Sequence, residues 1–96
     1  MLPLIMISAA VRAKLETKHK VTEKEICQCL ENRVGKFLID DREDHRTDPA
    51  TKWFIAETNC QRRLKIVFIF KTGKLHIRTA YEPNATEISI YENKSR

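Results

Sequence analysis

Ninety-six residues predict one domain, residues 1–96. A chain this short buries roughly 60–65% of its unfolded surface, which excludes a core plus a deep catalytic cleft. The net charge of +5 favours an anionic partner, whether nucleic acid, acidic protein or anionic membrane. Three cysteines, an odd number with no C-x-x-C, are read as small apolar residues of a reducing cytosol rather than a disulfide or metal framework.

Leu2–Ile7 is a short apolar run and predicts a first strand. It has no basic segment and is too short to span a bilayer, so the expected protein is cytoplasmic, with no membrane partner. Ser8 is a natural N-cap for a helix over Ala9–His19, with Val11 and Leu15 facing the core. Lys14 and Lys18 sit four apart, a repulsive spacing that a nearby anion or, for Lys18, the helix C-terminus relieves. Thr22 and Glu25 have capping-box spacing, which starts a second helix ending near Asn32 or Arg33, with Gly35 as its stop. Two helices so closely linked make an αα-hairpin.

Lys36–Asp40 reads as a short strand and Asp41–Ala50 as a polar loop. Thr51–Thr58 is the next strand. Arg63–Tyr81 alternates with a period of two on either side of Thr72-Gly73, the pattern of a β-hairpin. A two-residue loop there sets Phe70 opposite Leu75, Phe68 opposite Ile77, Ile66 opposite Thr79 and Leu64 opposite Tyr81, all on one face. The other face would carry Lys65, Val67, Ile69, Lys71, Lys74, His76 and Arg78. Two β-branched apolar residues among these cations point to a face covered by a partner. After Pro83, Asn84 and Glu87 have box-like spacing and open a short C-terminal helix. The expected architecture is α+β in two layers: an antiparallel β-meander of four to five strands, an N-terminal αα-hairpin and a short C-terminal helix.

Metal-free cleavage of RNA needs a base for the 2′-hydroxyl, cations for the phosphorane and an acid for the leaving oxygen. His19, Lys65, His76, Arg78 and Tyr81 are candidates for these catalytic roles. Lys14, Lys18, Arg46 and Arg63 are candidates for binding the nucleic-acid backbone. The acidic loop around Asp41, Glu43, Asp44 and Asp48 fails the EF-hand pattern, so no metal site and no cofactor are assigned. A non-catalytic nucleic-acid- or protein-binding module is the alternative on the same residues.

Lys18-His19-Lys20-Val21-Thr22-x-x-Glu25 resembles the "KHGVS/T-x-x-E" link of BrnT-like toxins. Asp41-Arg42-Glu43-Asp44, Trp53–Thr58, Arg62–Phe68 and His76–Tyr81 follow in the order and spacing of that family, whose last strand reads "IRIISAR". The resemblance covers roughly residues 8–92. It implies a RelE-like fold and a toxin of a type II toxin–antitoxin pair: a metal-independent endoribonuclease acting on mRNA. The implied partner is a cognate antitoxin, a ribbon-helix-helix DNA-binding protein. Two positions depart from the pattern. Lys20 replaces the glycine, and Thr79-Ala80-Tyr81 replaces Ser-Ala-Arg, so one arginine is missing. The chain also resembles short bacterial proteins with "WFIAET…LK-VF…HI-TAYEPN", which go under the name ADP-ribosyl-dinitrogen-reductase hydrolase. That activity belongs to larger helical proteins with a two-metal carboxylate site, a constellation this sequence does not carry.

Overall fold

The computed structural model describes residues 4–40 and 50–95. The first strand, β1, is Leu4–Met6. Ser8 caps helix α1 (Ala9–Lys14), accepting a hydrogen bond from the Val11 amide. The helix continues as a wider π-helical turn over Leu15–His19. Within it the Thr17 hydroxyl donates to the Ala13 carbonyl four residues back, a bond that competes with the helical ladder. The turn ends at Lys20, which takes a left-handed conformation with φ 55°. Helix α2 (Glu23–Asn32) begins with both bonds of the Thr22–Glu25 capping box in place. Strands β2 (Leu38–Ile39), β3 (Thr51–Glu57), β4 (Arg63–Lys71) and β5 (Lys74–Tyr81) follow, and helix α3 (Ala85–Lys94) closes the order behind a second box at Asn84–Glu87.

Strands β2 to β5 form the expected antiparallel meander, but the sheet as a whole is mixed. Its order is β1-β5-β4-β3-β2, and β1 pairs with β5 in parallel. That pairing follows from the αα-hairpin: the long excursion between β1 and β2 lets the first strand return beside the last. Thr72 and Gly73 both have positive φ, as a type I′ hairpin turn requires, and Phe70 opposes Leu75 and Phe68 opposes Ile77 as expected. Beyond that point the register departs from a simple ladder. A β-bulge between Val67 and Phe68 on one side and Ile77 to Thr79 on the other leaves Arg78 as the extra residue. Ile66 therefore opposes Ala80 and Lys65 opposes Tyr81, which moves Thr79 and Tyr81 off the apolar face expected for them and onto the face of Lys65 and Val67.

One face of the sheet carries Phe54, Leu64, Ile66, Phe68, Leu75 and Ile77, all buried and packed with Leu15, Val21, Ile26, Cys29 and Leu30 of the helical hairpin. Burial pushes the Cys29 thiol up to about 12, consistent with an inert core residue. The two-layer expectation is corrected on the other face. There α3 lies against β3 and β4: Tyr91 stacks on Trp53 with ring centroids 5.6 Å apart, and Glu87 reaches Lys65. The cationic face is thus only partly open, with Val67 and Ile69 half-buried and Lys65 buried. No helix among the described residues is long and apolar enough to cross a membrane.

Gly35 has a different role from the helix stop expected of it. Helix α2 ends on Arg33 in an extended conformation, and Gly35 is not left-handed. A Cβ at Gly35 would lie 2.7 Å from both Tyr91 Oη and Ser95 Oγ, so the glycine permits close approach of α3. Two substitutions test these backbone readings in denaturant midpoints. Lys20→Gly should raise stability by about 0.5–1 kcal/mol, since a lysine is strained at positive φ. Gly35→Ala should lower it by about 1–3 kcal/mol through overpacking against α3.

Candidate active site

Tyr81 sits at the end of β5, on the face covered by α3. Its hydroxyl donates to Glu87 Oε2 at 2.7 Å, and Lys65 Nζ donates to the same oxygen at 2.7 Å. Glu87 Oε1 accepts the Asn84 amide at 3.0 Å, so the capping carboxylate of α3 is also the centre of this cluster. The ammonium of Lys65 lies 4.5 Å from the Trp53 ring centre and 5.7 Å from that of Tyr81. From the other side His19, at the end of the π-turn, sets its ring 5.7 Å from Tyr81. Three of the five expected catalytic residues, His19, Lys65 and Tyr81, therefore meet in one corner.

The corner is held by Arg62. Its guanidinium donates to the carbonyls of Lys20 at 2.7 Å and His19 at 3.1 Å, which fixes the left-handed turn that presents His19. It also donates to both oxygens of Glu25 and, through Nε, to Glu82 Oε1 at 2.9 Å. One planar fork thus ties the helical hairpin to both ends of the β4–β5 unit. The bond to Glu82, then those to Glu25, raise the arginine's pKa still further.

The electrostatics sort the groups by protonation state. Burial, then the positive fields of Lys18 and Lys14, lower the His19 pKa below 6.5, which favours a neutral imidazole at neutral pH. Burial and the bond to Glu87 raise the Tyr81 phenol, while Lys65 partly opposes them. Burial pushes Glu87 up, but hydrogen bonds from Lys65, Asn84 and Tyr81 outweigh it and hold the carboxylate below its ordinary 4.5.

The remaining expected residues lie elsewhere. His76, Arg78 and Lys14 line a separate groove between β1, α1 and β5. Arg63 is exposed and lines the cleft between α2, β3 and α3, a different pocket from the one His76 lines. Lys18 is exposed beside His19. Arg46 lies outside the described residues. Lys65 was expected to hold phosphate on an open face. With only 10% of its side chain exposed and its ammonium on Glu87, it is placed to support Tyr81 instead.

Glu87 and Arg62 were missed as site residues. The spacing of Glu87 from Asn84 accounts for only one of its oxygens, and its second partnership depends on the bulge that brings Lys65 opposite Tyr81. Arg62 precedes β4 and has no motif of its own. Among the described residues no three His, Cys, Asp or Glu side chains converge as metal ligands; most of the acidic loop lies outside them.

Because Lys65 and Glu87 are both largely shielded, Lys65→Ala should destabilise the fold by roughly 2–4 kcal/mol, leaving a buried carboxylate without its cation. The Glu87 pKa is depressed on folding. Its contribution is therefore present above pH 4.5 and lost as pH falls through the lowered folded value. Thermal melts across pH 2–6 should show this loss, and Glu87→Gln should flatten it. Comparison of the chain with protein-family models, with curated proteins and with solved structures finds no match in any of the three.

Proposed function

We propose that the protein is a metal-independent endoribonuclease of the toxin class, with His19 and Tyr81 as its proton-transfer pair. The observation that carries this reading is the corner where a neutral-favouring imidazole and a protonated phenol face each other beside surface lysines. His19 takes the proton of an RNA 2′-hydroxyl. The 2′-oxygen bonds to phosphorus, the bond from phosphorus to the 5′-oxygen breaks, and Tyr81 gives its proton to that oxygen. The products are a 2′,3′-cyclic phosphate and a 5′-hydroxyl. Lys65 is a positioning residue here: it and Glu87 orient the phenol, and its charge stabilises the phenolate left after transfer. Lys18 supplies positive charge for the phosphate at the surface.

The resemblance to BrnT-like toxins supports the same assignment and adds mRNA as substrate and a ribbon-helix-helix antitoxin as partner. The arginine missing from the last strand leaves the phosphate charge to lysines from the helical hairpin. The second reading, a binding module without catalysis, is favoured by one observation: both oxygens of Glu87 are already engaged, and the Tyr81 proton points at it.

Purified protein with single-stranded RNA in excess EDTA separates the two. The nuclease reading expects cyclic-phosphate ends, and His19→Ala or Tyr81→Phe should slow cleavage about 10²–10⁴-fold, the usual worth of a positioned acid or base. Salt-dependent binding without product would instead establish the module.

A further inference from the structure

The groove between β1, α1 and β5 lies apart from the His19 corner. Lys14, His76 and Arg78 line it, with Met6, Ser8 and Val11, and no carboxylate is among its lining residues. Lys14 and Arg78 are exposed and have no ion-pair partner among the described residues. The arginine stands on the bulge, so its place in the groove depends on the irregularity of the strand rather than on sheet alternation. His76 lines the same groove, but its Nε2 is shut off from solvent, so the two cations are the groups a ligand reaches directly. Two exposed, unpaired cations around one acid-free groove suit a phosphate oxygen.

We propose that this groove binds a phosphodiester of single-stranded RNA, as a subsite next to the His19 corner. The assignment rests on the nuclease reading for the identity of the strand, but not for the site itself. Arg78 and Tyr81 are three positions apart on β5, about 10 Å along an extended strand. Lys14 links the two places, since it lines the groove and its charge also acts on His19. One RNA strand lying along the π-turn would thus meet the proton-transfer pair at one end and the groove at the other. Binding is then electrostatic and sequence-tolerant at this position.

The probe is a fluorescent 2′-O-methyl oligonucleotide of about eight nucleotides, which lacks the attacking hydroxyl and cannot be cut. Arg78→Ala and Lys14→Ala, both at exposed positions, should each weaken binding several-fold and lower the slope of log K against log salt by about 0.7. The His76 ring signals should shift in NMR spectra as the oligonucleotide is added. Unchanged affinity and slope in both variants would overturn the subsite even if the wild-type protein cuts RNA. Polyglutamate displacing the probe while shifting the same His76 signals would also overturn it, assigning the groove to an acidic protein. Affinity lost in the variants of a protein that never cuts RNA would leave the groove standing and remove the nuclease reading.

Discussion

The Glu87 carboxylate is the constraint from which the site follows. One of its oxygens caps α3 and the other receives Lys65 and Tyr81. Without that pairing, Lys65 of β4 would be an unmatched charge beneath a helix, and α3 would lose the ion pair that ties its first turn to the sheet. With it, the helix is fixed over Trp53 and the phenol is aimed. The same residue thus sets the helix start, the covering of the sheet and the orientation of the group read here as the acid.

Arg62 performs the matching task on the other side of the corner. A helix that ends in a π-turn and a left-handed lysine leaves carbonyls exposed, and the guanidinium collects two of them together with Glu25. The turn that carries His19 is therefore clamped although its sequence strains it at Lys20. A glycine would hold the positive φ of this position without that strain. Stability and presentation of the imidazole are joined in one short segment.

Local signals were legible in the sequence wherever a single interaction decides the structure. Both capping boxes, the Ser8 cap, the Thr72-Gly73 turn and the extent of β3, β4 and β5 depend on residues within a few positions of one another. The bulge at Arg78 was not legible, because nothing in the alternation of Leu75, Ile77 and Thr79 marks an extra residue. That single insertion reversed the expected facing of Thr79 and Tyr81. It also brought Tyr81 onto the face of Lys65, where His19 meets it, while His76 and Arg78 line a separate groove. The parallel seat of β1 and the position of α3 were hidden for a related reason. Both are long-range choices, and an apolar run such as Leu4–Met6 pairs equally well in either direction. Gly35 illustrates a third case: its residue type announced a special backbone position, but the reason is contact with Tyr91 and Ser95.

In the proposed mechanism His19 acts as a neutral base, and the pH dependence of single-turnover RNA cleavage tests this most directly. Lowering of the His19 pKa by burial and by Lys18 and Lys14 predicts a flat rate through neutral pH. An acid limb of unit slope should then appear with its midpoint below 6.5, and disappear in the residual activity of His19→Ala. A rate that keeps climbing with pH above neutrality, or an acid limb unchanged in His19→Ala, would contradict it.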